Sequence, residues 1–391
     1  MSQYHQKNGA IIIEGHVQGL SNTRSLGEKG IPVIVIDKVN CIARYSKYCA
    51  KYFLCPDFIK DEFADFLIDL AIKENIRGWM LLPSNDHAVY TISKHKKELE
   101  EYYKVITPSL GIIEYIYDKV KLINLAAQHF IPIPTTQSFK KIDEKISGEL
   151  QFPVITKGRN GLSFYKKIKA KALMANNETE LRKQLNYISK KYFLEDSFTQ
   201  ELIPDNGNNK TISFTAFCIE GEIMAHWTGV KIREHPIQFG TATFAKSTYV
   251  EKCHNQSARL LEALNYTGVC EIEYLKDPRT DEYKLIEMNP RTWLWVGLAK
   301  YCGVDYAIMT YNYLNNINND YPSNYLKDVY WINPITDTIY AFMGILKKQL
   351  KLRNYINSVL YEKKYNALIA NKDFKPFVFY LFSIFSFLKN R

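Results

Sequence analysis

Two short stretches late in the chain carry the residues best suited to chemistry. Cys270-Glu-Ile-Glu-Tyr-Leu275 and Tyr283-Lys-Leu-Ile-Glu-Met-Asn-Pro-Arg291 flank a polar turn, Asp277–Asp281, as the arms of a hairpin would. Side chains alternate faces along a strand. Glu271 and Glu273 therefore share one face of the first arm, and Glu287 and Asn289 share one face of the second. Carboxylates facing each other in a buried sheet need a cation, because an uncompensated charge away from water is costly. Hard oxygen donors at this density suit magnesium, which shares its coordination sphere with water and phosphate oxygens. Glu273, Glu287 and Asn289 are the expected ligands. The alternative is a pair of surface glutamates in exposed ion pairs, which require no such setting.

The elements that must position these groups fall into distinct stretches. In the first third, apolar runs at Ala10–Ile13, Pro32–Asp37 and Trp79–Leu82 read as strands. They alternate with helical patterns around Asn22–Lys29 and at Glu62–Lys73, where Phe63, Phe66, Leu67 and Leu70 recur at helical spacing. That alternation predicts a doubly wound parallel sheet, with ligands at the carboxyl ends of its strands. Gly15–Arg24 and Pro83–His87 are then candidate site loops, with Arg24 and Asp86 candidates for a substrate carboxylate or acceptor.

The middle third predicts a helix from Asp118-Lys119 to about His129 and a strand, Phe152–Lys157, ending on a lysine. A further helix is capped by Asn176-Asn177. A strand over Phe198–Ile203 follows, then a polar loop, then an antiparallel pair, Thr211–Cys218 and Glu222–Trp227, joined across Glu220-Gly221. By residue type alone, Lys119 and Lys157 are ordinary surface lysines.

Composition narrows the class. With 391 residues, 46% hydrophobic and 24% charged, the chain can bury several cores as a water-soluble protein. Met1 to Asn8 is polar and gives no signal-peptide pattern. Seven scattered cysteines without a C-x-x-C pair read as reduced thiols of a cytoplasmic protein. The net charge is +10, but residues 335–391 hold ten Lys/Arg against three Asp/Glu. A nucleic-acid protein spreads its basic residues along a groove, so no nucleic-acid partner is expected. The basic segment instead encloses Pro376–Leu388, an uncharged run too short to cross a bilayer. Residues 335–391 are therefore a candidate for peripheral contact with the inner face of a membrane, against a helix docked on the protein.

Taken in order, these residues resemble the ATP-grasp superfamily of ligases, which includes biotin carboxylases, carbamoyl phosphate synthases and carboxylate–amine ligases. Glu273, with Glu287-Met-Asn-Pro-Arg291 fourteen residues on, matches the metal-binding end of that family. Lys119 and Lys157 match its two ATP-contacting lysines. Gln200-Glu-Leu-Ile203 matches the strand whose backbone holds adenine. Looser marks, Arg24-Ser-Leu-Gly, Arg44-Tyr-Ser-Lys, Leu82-Pro-Ser-Asn-Asp86 and Lys231-Ile-Arg233 followed by Pro236, resemble short ligases of the D-aspartate ligase type.

The resemblance implies an α/β fold in three parts. These are a Rossmann-like domain over 1–115, a two-lobed ATP-grasp domain over 116–325 and a basic, hydrophobic helical tail over 326–391. It implies ATP with one or two Mg2+ ions, replaceable by Mn2+, and formation of an amide from a small carboxylate and an amine through an acyl phosphate. The acceptor would be an amino acid or a cell-envelope precursor. Lys119, Lys157, Gln200, Glu201, Leu202, Ile203 and Asp205 would bind the nucleotide. Arg291, Arg233 and Lys231 would act on the transferring phosphoryl group. A loop after Lys157, hinged at Gly158 and Gly161, would close over the phosphates. The alternatives are a bicarbonate-using, carboxyphosphate-forming enzyme and a non-catalytic ATP-binding protein.

Overall fold

The computed structural model describes residues 8–204, 210–235, 240–360 and 363–389, with only the backbone of 162 and 384–389. The first sheet holds β1 (Ala10–Ile13), β2 (Val33–Asp37), β3 (Cys49–Leu54), β4 (Trp79–Pro83) and β5 (Tyr103–Val105), all parallel in the order β3-β2-β1-β4-β5. The alternation along β1 explains its place at the centre. Ala10 and Ile12 enter one apolar core and Ile11 and Ile13 the other, so both faces are covered by helices. Each fully buried isoleucine contributes about 1.5–3 kcal/mol. β3 was not legible as a strand because it is a half-exposed edge without clean alternation.

A second, antiparallel sheet contains β6 (Thr136–Gln137), β7 (Val154–Gly158), β8 (Leu173–Ala175) and β9 (Ser197–Glu201), ordered β6-β9-β7-β8. The helix Glu178–Ser189 covers it, and Asn177 caps that helix by accepting the Glu180 N–H. The expected closing loop after Lys157 is instead a short helix, Gly161–Ile168, capped by Asn160 and anchored through buried Phe164. Lys166 and Lys167 lie on that helix rather than on a mobile strand of chain.

The third sheet is built from β10 (Thr211–Ile219), β11 (Glu222–His235), β12 (Thr241–Thr248), β13 (Gly268–Asp277), β14 (Glu282–Asn289), β15 (Tyr330–Ile332) and β16 (Lys364–Asn366). Its order is β14-β13-β10-β11-β12-β15-β16. Cys270, Ile272 and Tyr274 of β13 pack into the core beneath the helices Lys119–Gln128 and Glu251–Ala263. Alternation then forces Glu271 and Glu273 onto the opposite face.

The last segment is not the simple helical tail that the sequence suggested. β15 pairs with β12 and β16 with β15, so the sheet continues through it. The closing helix, Lys375–Lys389, docks on the first domain: Phe379 stacks on Tyr45 with ring centroids 4.2 Å apart, and Tyr380 is buried. Among the described residues, no helix is long and apolar enough to cross a membrane.

Candidate functional site

The register of β13 and β14 sets Glu273 directly opposite Glu287, and Glu271 opposite Asn289. These four groups lie in a cleft of about 590 Å³. One end is closed by the carboxyl ends of β1 and β4, through Glu14, His16, Ser84, Asn85 and Asp86. The wall beyond is Lys231, Trp293 and the C-terminal residues Asn333, Tyr340 and Tyr380. Both loops expected to reach the site therefore do so.

Charge inside the cleft is closely balanced. Lys231 Nζ lies 2.7 Å from Glu273 Oε1, and Lys119 Nζ lies 3.4 Å from Glu287 Oε2. Burial works against the Lys231 charge, but Glu273 and Glu271 more than offset it and raise its pKa. Burial also opposes the Glu287 charge, yet Lys119, Lys231 and Lys157 together hold its carboxyl well below its ordinary value. Glu273 is raised, first by burial and then by Glu287, against the pull of Lys231. Lys157, half-buried near the end of β7, is pushed down to about 8 by burial and by neighbouring Lys119.

Glu271 was seen to share the Glu273 face but was not counted as part of the site. Its Oε2 accepts a hydrogen bond from Asn289 Nδ2 at 3.1 Å, and the Asn289 amide oxygen in turn faces Arg291 Nη2 at 3.5 Å. Burial and the adjacent Glu273 raise its pKa. Glu271 thus fixes the orientation of the Asn289 amide. Among the described residues, no three His, Cys, Asp or Glu side chains converge as a metal cage. A cation between Glu273 and Glu287 would therefore draw two carboxylates and the Asn289 oxygen from the protein, and its other donors from water and phosphate. That division fits magnesium.

Arg291 follows β14 and is held by Asp86 through two hydrogen bonds, Nε to Oδ1 at 2.7 Å and Nη2 to Oδ2 at 2.9 Å. Asp86 is thus a positioning residue for Arg291, which tethers the third sheet to the first. Arg233 is a correction. Its guanidinium forks onto Asp337 at 2.8 and 2.6 Å, donates to Ser358 and stacks over Phe244, so it belongs to a structural joint and not to the cleft wall. Arg24 is another. It is buried against Asp373 at 2.8 Å and donates to the carbonyls of Ala367 and Leu368, which pins the C-terminal segment to the first helix.

Gln200 and Glu201 lie on β9, as expected. The Glu201 carboxylate is committed to Lys284 and Arg279, both at 2.8 Å. The Glu201 and Leu202 N–H groups already donate to Thr135 and Pro153. Among the described residues the Ile203 N–H makes no backbone–backbone hydrogen bond. Asp205 and Pro236 lie outside the described residues.

Sequence reasoning missed Glu14. It directly follows β1 with φ +73°, a left-handed conformation that costs a non-glycine residue, and such strain collects at functional sites. Its carboxylate accepts from Asn85 Nδ2 at 2.8 Å and Gln18 Nε2 at 2.7 Å. The signal was one residue away, because the candidate loop was begun at Gly15.

Residues 197–311 match the model of the carbamoyl-phosphate synthase L chain, ATP binding domain. D-aspartate ligase of Enterococcus faecium is 25% identical over 263 residues, which are 63% of this chain and 62% of that enzyme. This chain therefore spans somewhat less than two thirds of that relative's length. Among solved structures, biotin carboxylase of Campylobacter jejuni superposes with TM-score 0.66 at 15% identity, over 82% of this chain and 74% of that one. N5-carboxyaminoimidazole synthetase of Staphylococcus aureus gives TM-score 0.65 at 14% identity, over 88% and 86%.

Proposed function

We propose that this chain, whose fold is that of the ATP-grasp enzymes, is an ATP-dependent carboxylate–amine ligase. The observation that carries the reading is the grouping of Lys119, Lys157 and Lys231 around the facing pair Glu273 and Glu287. A triphosphate is the ligand such a mixture of ammonium groups and hard anionic donors suits.

Adenine lies against β9, at the Ile203 amide, and the phosphates run toward Lys119 and Lys157. Glu273, Glu287 and Asn289 would hold magnesium, which when bound neutralises phosphate charge and aligns the transferring group. A substrate carboxylate oxygen attacks the γ-phosphorus, the bond to the ADP oxygen breaks, and an acyl phosphate forms. Lys231 and Arg291 stabilise the negative charge that develops there, and Asp86 fixes the direction of Arg291. The amine then attacks the acyl carbon, phosphate leaves and a proton departs from nitrogen. Glu14, oriented by Asn85 and Gln18, is placed to hold the incoming ammonium. Burial raises its carboxyl pKa, which favours accepting that proton.

The relative named D-aspartate ligase supports carboxylate and amine chemistry. The same reading puts the acceptor, an amino acid or a cell-envelope precursor, at the cytoplasmic face of a membrane. A phosphate-release screen against paired amino acids, with and without bicarbonate, tests it. Release that requires a carboxylate and an amine is expected. Release that requires bicarbonate would replace the reading with carboxyphosphate formation, and no release from any pair would leave an ATP-binding protein.

A further inference from the structure

The charges of residues 335–391 are sorted by side. Of the three acidic residues, Asp337 and Asp373 are buried, each neutralised by an arginine from elsewhere in the chain, Arg233 at 2.6 Å and Arg24 at 2.8 Å. The third, Glu362, lies outside the described residues. The bases point the other way: Lys347, Lys348, Lys351, Arg353 and Lys363 are exposed, and among the described residues none of them forms a salt bridge.

The apolar groups beside these bases are inverted as well. In the helix Leu352–Val359, Leu352, Ile356 and Val359 recur at helical spacing, a stripe that normally faces a core. Here Leu352 is 57% exposed and Ile356 49%, with Leu360 just beyond at 71%. The inward face instead carries Ser358, bonded to Arg233. The helix Pro334–Leu346 repeats the pattern: Asp337 and Ala341 are buried, while Phe342 is 61% exposed and Leu346 66%. Arg233 reaches both helices, and the hydroxyls of Thr338 and Tyr355 meet at 3.1 Å between them. The two apolar stripes and the basic turn Lys347–Lys351 thus belong to one braced hairpin.

We propose that this hairpin is a docking surface for an anionic lipid membrane, with Phe342, Leu346, Leu352, Ile356 and Leu360 entering the headgroup boundary. The inference rests on the reading that the protein works at a membrane, and not on its ligase chemistry. Exposed apolar side chains ringed by unpaired bases supply the two signals that stable peripheral attachment needs. A second copy of the chain fits worse, because a two-fold contact would set the same basic ring against itself.

The test is co-sedimentation of the full chain with vesicles of phosphatidylcholine alone and of phosphatidylcholine mixed with phosphatidylglycerol. Binding to the mixed vesicles at low salt is expected, weakening as salt rises, with little binding to the neutral ones. Each of Lys347→Gln, Lys348→Gln and Lys351→Gln should weaken binding about fivefold, and the three together about 10²-fold. Leu352→Ser with Ile356→Ser should abolish it at unchanged melting temperature, since both side chains face solvent. No pelleting with the mixed vesicles, or equal pelleting of the triple glutamine variant, overturns the proposal. So does a dimer in size-exclusion chromatography that Leu352→Ser with Ile356→Ser dissolves, because the patch then belongs to a second copy. Phosphate release from soluble substrates, measured without vesicles, should be unchanged in every variant, so failure of the ligase reading shows up separately.

Discussion

Raising the pH through 8 should loosen the grip on nucleotide, and Lys157 is the reason. Burial and the nearby Lys119 bring its pKa down to about 8 from 10.5. The sign follows from the direction of that shift. Below pH 8 the free protein presents an ammonium to the phosphates. Above pH 8 it presents a neutral amine, and nucleotide binding must first recapture a proton. One pH unit corresponds to a factor of ten in the protonated fraction once well above the pKa. Between pH 7 and pH 9 the apparent Kd should therefore rise about tenfold if the bound phosphates keep the ammonium charged. Calorimetric titration of a non-hydrolysable ATP analogue measures this, and the Lys157→Ala variant is the control. The analogue's own titration is common to both proteins, so it cancels in their ratio. Lys157→Ala should bind more weakly than wild type at pH 7, and the two should converge toward pH 9. A ratio that stays constant from pH 7 to pH 9 would refute the assignment of Lys157 to the phosphates.

Glu287→Gln should lower ATP turnover at least about 10²-fold without unfolding the protein, as loss of ~2.7 kcal/mol of transition-state stabilisation requires; turnover within threefold of wild type would remove Glu287 from the metal site. Asp373→Ala leaves the Arg24 guanidinium buried without its counter-ion and should cost about 3–5 kcal/mol in chemical denaturation. An unchanged denaturation midpoint would mean that the C-terminal segment is not held there. Arg233→Ala should likewise lower the melting temperature while KM for ATP stays the same, and a tenfold higher KM at intact stability would return Arg233 to the phosphates. Asp86→Asn should lower kcat more than it raises KM for ATP, because it frees Arg291 from one fixed direction. A change in KM alone would count against that.

The hairpin that sets Glu273 opposite Glu287 could be read from the sequence because everything that fixes it is local. The polar turn Asp277–Asp281, with Asp281 at φ +59°, sets the register, and the apolar partners Ile272 and Met288 decide which face the acids take. The parallel sheet was legible for the same reason, except at β3, where exposure removes the pattern, and at β5, which is only three residues long. Arg24 and Arg233 show where this kind of reading stops. Their partners lie 349 and 104 residues away, and no spacing rule connects positions that only the folded chain brings together. The C-terminal segment was misread for a related cause. Its strands are three residues each and gain their stability from pairing, β15 with β12 and β16 with β15, not from any propensity of their own. Glu14 was passed over because its only local mark is a backbone angle.

If the cleft holds nucleotide and ion as proposed, the pairing of Lys231 with Glu273 and of Lys119 with Glu287 would also govern the order in which they enter. A bare divalent ion arriving between the two glutamates must dislodge ammonium groups that then have nowhere to go, so much of its attraction is cancelled. A triphosphate arriving alone competes with carboxylates for the same lysines. Were the two to come together, the lysines would change partners, from carboxylate to phosphate, leaving Glu273 and Glu287 free to hold the ion. Each ligand should therefore tighten the other by the same factor, as thermodynamic reciprocity demands. The cleft would then answer to the ion–nucleotide complex while discounting either component on its own.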